Sequence, residues 1–483
     1  MKKLEDTIAA ISTPAGSGGI AVLRLSGPRA IEIVAPLFNG AVKLIDAESH
    51  KAYIGNIPVF APEGLKNKSN EKNHEKYALF DEVIVTVFRA PRSYTREDVV
   101  EISCHGGYLL SRKILEKLID RGARLAEPGE FTKRAFLNGR FDLNQAEAVG
   151  DIIQAASEMS LKSALSQFQG ALSNKINKLR KGLIEACSLI ELELDFAEED
   201  LVFPEFKEIE NKIYGIKKEI KNLLDSYLRG RILRDGAKLV IVGKPNVGKS
   251  SLLNALLKID RAIVTEIPGT TRDVLEESLN IRGFLFRAVD TAGVRETQNV
   301  VEKEGVNRTL NQVENADIVL VLFDASQKID SQDVQFVERI GRLIDDSRQF
   351  GQNVIAVLNK IDLPQKTFKN EVIRRFGFSD TLEISAKELL GFNELEQALV
   401  KKAFGKEKVD LIDPLVSNIR QKQALENAAQ ALILATQTLK KRMSAEFVAV
   451  DVRDAIKKLD EIIGEVSTEE ILGNIFENFC IGK

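Results

Sequence analysis

Lys249 and Ser250 close the G-x-x-x-x-G-K-S motif that follows an apolar run in AKLVIVGKPNVGKSS, residues 237–251. A strand that delivers such a turn presents backbone N–H groups to a phosphate, and Gly243 and Gly248 allow an approach that a Cβ would block. The Lys249 ammonium would reach the β- and γ-phosphates, and the Ser250 hydroxyl would ligate Mg²⁺. The next residues, SLLNALL, open a helix whose N-terminus favours negative charge. Asn246, Val247, Gly248, Lys249, Ser250 and Ser251 are therefore candidate ligands of a nucleoside triphosphate.

Further pieces narrow the nucleotide to GTP. FRAVDTAG at 286–293 ends a second apolar run. There Asp290 would hold Mg²⁺ through water, and the Gly293 N–H, after Thr291 and Ala292, would meet the γ-phosphate. VIAVLNKID at 354–362 ends a third. The Asp362 carboxylate can accept from both N1–H and the N2 amino group of guanine, a donor pair adenine lacks. Asn359 would brace the loop and the Lys360 stem would cover the base. Ser385-Ala386-Lys387 would offer a backbone N–H to guanine O6. Between the first two motifs lies TEIPGTTRD, comprising Thr265, Glu266, Ile267, Pro268, Gly269, Thr270, Thr271 and two charged residues, with Thr271 the candidate switch ligand of Mg²⁺.

One position departs from the common hydrolytic pattern. The residue after D-T-A-G, where a water-orienting glutamine often stands, is Val294, which cannot orient water. The segment RETQNVVEKEGV supplies Glu296, Glu302 and Glu304 instead, each equally readable as a solvated charge.

A chain of 483 residues is longer than one ordinary domain, so two to four are expected. The net charge of −3 argues against a strongly electrostatic nucleic-acid binder. Cys104, Cys187 and Cys480 have no metal-ligand spacing and suit a reducing compartment. With no signal-peptide pattern and no apolar run of about 18 residues, no membrane span is expected. Residues 1–120 alternate strand-like runs (DTIAAIS, GGIAVLRLSG, EVIVTVF, VVEISCHGG) with turns, and an amphipathic helix follows near 108–120. GLKNKSNEKNHEKY reads as a surface loop with a solvated His74. From 121 to 230 the pattern is helical, with Leu179, Leu183, Cys187, Ile190 and Leu194 on one face. After the nucleotide motifs (231–405), Leu425, Ala428, Leu432 and Leu439 mark another helix in 406–483. The simplest architecture is a helical bundle assembled from both flanks of an inserted α/β domain.

The chain as a whole resembles the MnmE (TrmE) family of tRNA-modification GTPases. The resemblance rests on DTIAAISTPAGSGGIAVLRLSGP, EDVVEISCHGG, PGEFTKRAFLNGRFDLNQAEAV, LDFAEED, the nucleotide motifs and the closing FCIGK. It implies an N-terminal α+β domain (1–120) that binds a folate and forms a homodimer. It also implies a discontinuous helical domain (121–230 and 406–483) and an inserted Ras-like P-loop GTPase domain. The implied activity is GTP hydrolysis within a cytoplasmic complex containing the FAD-dependent partner MnmG. That complex adds an aminomethyl or carboxymethylaminomethyl group at C5 of the tRNA wobble uridine, with the one-carbon unit coming from methylenetetrahydrofolate.

By the same resemblance, the general-base glutamate falls on Glu302. A K⁺ ion takes the place of an arginine finger, held by Asn246, Thr265, Ile267 and Thr270. The physics is sound, because a cation beside the β–γ bridge offsets charge developing in the transition state. Arg272 and Arg295 are accordingly given structural or interface roles. The tetrahydrofolate derivative, 5-formyl or methylene, falls to Arg24, Glu101, Arg140 and Lys483. A glutamate can pair with the pterin donor edge, and basic groups suit the carboxylate tail. One departure is Pro14-Ala15-Gly16-Ser17-Gly18-Gly19, in which Ser17 stands where the family usually has arginine. Cys480 is given a packing role. The competing class, a ribosome-assembly switch GTPase, would carry a distinct RNA-binding module, and the sequence displays none.

Overall fold

The computed structural model describes residues 5–60, 79–195, 206–260, 276–290, 312–345, 354–405, 414–441, 444–466, 468–477 and 479–483. The loop with His74, the segment 265–271, and Thr291 through Glu304 lie outside the described residues. The chain forms two compact units, Met1–Gly150 with Asp460–Lys483, and Asp151–Leu459.

The first unit is built on a seven-stranded sheet. Its strands are β1 (Ile8–Ile11), β2 (Ile20–Ser26), β3 (Asn39–Gly40), β4 (Lys51–Phe60), β5 (Leu79–Phe88), β6 (Val99–His105) and β7 (Arg124–Leu125), in the order β3-β4-β5-β6-β2-β1-β7. Strict alternation in β5 sends Val83, Val85 and Val87 into the core and leaves Ile84 exposed. The core lies against the helices Ala30–Val34 and Tyr108–Asp120, the latter at the amphipathic run read from sequence. On the opposite face Ile54 pairs with Ile84 and Pro58 with Phe80, leaving a largely apolar exposed stripe.

The unit extends beyond the expected 1–120. Phe136, Leu143 and Ala146 close over Leu472 and Phe476, so residues up to 150 and from 460 onward fold with the sheet. Arg134 is fully buried and holds this end together. Its Nη2 reaches Asp6 Oδ1 at 2.8 Å and Glu130 Oε1 at 3.0 Å, and its Nη1 reaches Glu97 Oε2 at 3.3 Å. The final residues are stitched in as well. Phe131 N–H donates to Lys483 O at 3.1 Å, the Ser12 hydroxyl donates to Gly482 O at 3.2 Å, and Ile481 bridges Pro128.

The second unit holds a six-stranded sheet of β8 (Ala237–Gly243), β9 (Glu276–Ile281), β10 (Phe284–Asp290), β11 (Ile318–Asp324), β12 (Val354–Asn359) and β13 (Thr381–Glu383), ordered β13-β12-β11-β8-β10-β9. Every pairing is parallel except β9 with β10. β11 and β12 are buried along their whole length, which explains their unbroken apolar sequences. The chain departs on opposite sides of β8 toward β10 and β11, so a crevice opens at the carboxyl end of β8.

Helices from both flanks of this sheet pack together: Ala171–Asp195, Phe206–Asp225 and Ile419–Lys440. Leu179, Leu183, Cys187 and Ile190 are buried on one side, and Leu425, Ala428, Leu432 and Leu439 on the other. The returning chain is clamped before its helix begins. Val416 N–H donates to Ser226 Oγ at 3.1 Å, and Gln167 Nε2 donates to Ser417 Oγ at 2.8 Å. Gly230 permits this approach, since a Cβ there would stand 2.2 Å from Val416 O. The fold is therefore multidomain: an α+β N-terminal unit, a helical region discontinuous in sequence, and an inserted Ras-like P-loop α/β domain.

Candidate functional site

The P-loop leaves β8 at Gly243 and enters the helix Lys249–Asp260. Asn246 adopts φ +63° and Gly248 φ +102°. At Gly248 a Cβ would lie 2.2 Å from Asn359 Nδ2, so only glycine fits. Lys249 Nζ arches back over the loop and donates to Gly243 O at 2.8 Å and Lys244 O at 2.9 Å. Ser250 and Ser251 are exposed in the first turn of the helix, where a hydroxyl is the hard oxygen donor that Mg²⁺ prefers.

The residues that the sequence marks as candidates for base recognition follow the ends of β12 and β13. Asn359 is buried, and its amide joins two loops: Nδ2 donates to Val247 O at 2.9 Å, and Oδ1 accepts from Ala386 N–H at 3.0 Å. The Ala386 N–H is thereby engaged within the protein. Lys360, at φ +68°, sends Nζ to Asn246 O and to Asp324 Oδ2, both at 2.7 Å. Asp362 is exposed, and its Oδ1 accepts from the buried Ser385 hydroxyl at 2.6 Å. Ser385 Oγ in turn accepts from Glu388 N–H at 3.1 Å. A carboxylate pinned through one oxygen is oriented before a base arrives. Lys387 is exposed beside it.

Asp290 ends β10, next to β8. Of the cation set, Asn246 alone is described. Thr265, Ile267 and Thr270, together with Thr271 and Glu302, lie outside the described residues.

The motif reading missed Asp324. It ends β11 with no motif around it, yet it fixes Lys360 and accepts from Ser326 N–H and Oγ. Burial pushes its carboxyl up, but Lys360 and Ser326 outweigh burial and hold it below the usual range. Also missed was a clamp outside the loop, in which Lys244 Nζ meets Asp330 Oδ2 and Asp333 Oδ2, each at 2.8 Å. That ammonium, aided by backbone N–H donors, lowers Asp330 to about 2.

The N-terminal unit contains a separate cavity of about 550 Å³, lined by Arg24, Glu101 and Arg140 among others. Arg24 Nε and Nη2 both donate to Glu101 Oε1, at 2.9 and 2.7 Å. The Arg24 guanidinium lies 5.2 Å from the Tyr94 ring centre, and that of Arg140 lies 5.0 Å from Tyr94 and 4.8 Å from Phe141. Flat cationic and aromatic surfaces beside one carboxylate suit a planar heterocycle with an anionic tail. Lys483 is not part of the lining, although Arg24 and Glu101 act on its charge. Burial, then Arg24, lowers its affinity for a proton.

The family model for the MnmE helical domain matches residues 143–480, and the model for the GTP-binding protein TrmE N-terminus matches residues 7–140. The chain belongs to the MnmE family of tRNA modification GTPases. The tRNA modification GTPase MnmE of Carboxydothermus hydrogenoformans is 45% identical over 485 residues, covering 99% of this chain and 100% of the relative. That of Alkaliphilus oremlandii is 41% identical over 482 residues, with 99% and 100% covered. Among solved structures, Era from Aquifex aeolicus is 27% identical, covering 41% of this chain and 67% of that one, with a TM-score of 0.28. This MnmE-family chain is accordingly a GTP-hydrolysing enzyme of tRNA modification.

Proposed function

We propose that GTP turnover in the P-loop unit drives formation of a (carboxymethyl)aminomethyl group at C5 of the tRNA wobble uridine, together with an FAD-dependent MnmG partner. The reading is supported by the bonds that Asn359 and Lys360 make to the P-loop, with Asp362 oriented nearby in sequence by Ser385, in a chain of this family. Asp362 would select guanine. Lys249 and the loop N–H groups would hold the phosphates, and Ser250 and Thr271 would hold Mg²⁺. Glu302 would orient the attacking water, because Val294 cannot. A potassium ion would offset charge at the β–γ bridge when bound, with Asn246, Thr265, Ile267 and Thr270 as its ligands.

In the N-terminal unit, Arg24, Glu101 and Arg140, with Lys483 nearby, would bind a tetrahydrofolate derivative. The exposed Ile54, Ile84 and Phe80 stripe supports a homodimer through this unit, because a monomer gains little by leaving such a face wet. Among the described residues no helix is long and apolar enough to cross a membrane. The family-type division proposed is 1–120, 121–230, 231–405 and 406–483, with residues 121–150 and 460–483 sharing the compact unit of the first piece, and the cytoplasm is the proposed working compartment.

Three measurements test this reading. GTP turnover should be much faster in K⁺ than in Na⁺, and Glu302→Ala should keep GTP binding while losing most hydrolysis. Nucleoside mass spectrometry of tRNA from a deletion strain should show loss of the C5-modified wobble uridine. An unchanged nucleoside profile would remove the substrate assignment.

A further inference from the structure

The cavity of the N-terminal unit carries more positive charge than its own carboxylates can match. Arg24 is already paired with Glu101. Glu97 is turned toward Arg134 and Ser26, and Asp98 accepts from the Ala90 N–H. Arg92, Arg96 and Arg140 line the same cavity, and among the described residues none of the three is in an ion pair. Arg140 is aimed by Ser93 O, to which it donates at 3.0 Å. Burial, and then Arg96 and Arg24, disfavour its charge, while Tyr94 acts in the opposite sense. Arg96 is fixed at the rim by donation to Asn138 O at 3.0 Å.

The backbone is also strained at this rim. His50 at φ +65° and Arg96 at φ +60° are two of the six described non-glycine residues with positive φ, and both line the cavity. Such conformations persist where surrounding structure holds a residue to a task.

We propose that this rim binds a chain of carboxylates, so that the preferred ligand is a folate bearing an oligo-γ-glutamyl tail, with Arg92 and Arg96 taking the added carboxylates. The inference rests on the folate reading of Arg24, Glu101 and Arg140. A flat head would stack between guanidinium and aromatic faces while Glu101 Oε2, which Arg24 leaves unused, accepts from the ring. The first glutamate would meet Arg140. Each further γ-linked residue adds one carboxylate, and planar guanidinium groups donate to a carboxylate in a two-point fashion.

The test is calorimetry on the full-length protein with 5-formyltetrahydrofolate as the monoglutamate and as the triglutamate. Two partly exposed pairs should tighten the triglutamate by about five- to tenfold. That advantage should shrink at high salt. The double variant Arg92→Gln, Arg96→Asn should abolish it and leave monoglutamate affinity within roughly threefold. Asparagine tolerates the left-handed backbone at position 96, so the fold is retained. Equal binding of the two ligands by the parent protein overturns the tail inference while leaving the folate reading intact. A salt-insensitive preference, or one that survives the double variant, also overturns it. Binding of neither ligand removes the folate reading and this inference with it.

Discussion

The Asn359 side chain donates to the Val247 carbonyl at 2.9 Å and so fastens the end of β12 to the P-loop. With its other end on Ala386 N–H, one buried amide spans three segments that are distant in sequence. Asn359→Ala would leave the Val247 carbonyl and the Ala386 N–H unpaired, at a cost of about 1–3 kcal/mol for each buried group. If part of that cost falls on the nucleotide-ready arrangement, affinity for a fluorescent GTP analogue should drop by roughly 10- to 100-fold. An affinity within twofold of the parent would show that the three segments hold their places without the amide.

Asp362 is pinned through Oδ1 by Ser385 and exposed elsewhere. Asp362→Asn should therefore weaken GTP by about 100-fold or more, because an amide cannot accept from both guanine donors. Xanthosine triphosphate, whose C2 carbonyl can accept from the new amide, should gain affinity in the same variant. Competition binding with the two nucleotides checks this. Retention of GTP preference would place base selection elsewhere.

Glu130 keeps the fully buried Arg134 company and also pairs with Arg124 at 2.6 Å. Glu130→Gln should destabilise the N-terminal unit by about 3 kcal/mol in urea unfolding, the low end for a broken buried pair, because Asp6 and Glu97 still face Arg134. The pH dependence has a definite sign. Burial raises the Glu130 carboxyl, but Arg124, the Glu127 N–H and Arg134 together lower it below its ordinary 4.5. Its contribution is thus complete above that value and fades as pH falls through the lowered one. The variant should flatten stability against pH in that acid range, and an unaltered slope would contradict the assignment.

Legibility in the sequence varied with how local the cause is. Glycines at 243 and 248 and the Asn359–Asp362 run announce themselves because phosphate and base contacts demand particular residue types at fixed spacing. Strands such as β5 are equally plain, since burial of Val83, Val85 and Val87 imposes a period of two. Asp324 was silent: one acid at a strand end looks like any other until Lys360 is seen to reach it. The helix Glu469–Phe476 has a clear apolar face, but periodicity does not reveal that its partner is Phe136 and Leu143 rather than the bundle. The exposed Arg92 and Arg96 carried no motif, and only the cavity gives them a common context.

The bonds from Ser12 to Gly482 and from Phe131 to Lys483 set an order of events during synthesis. The first sheet emerges early but lacks its closing pieces until residues 460–483 have left the ribosome. The nucleotide-binding unit, whose sheet ends at Glu383, can be assembled while its predecessor is still waiting. An enzyme arranged in this way completes its oldest segment last.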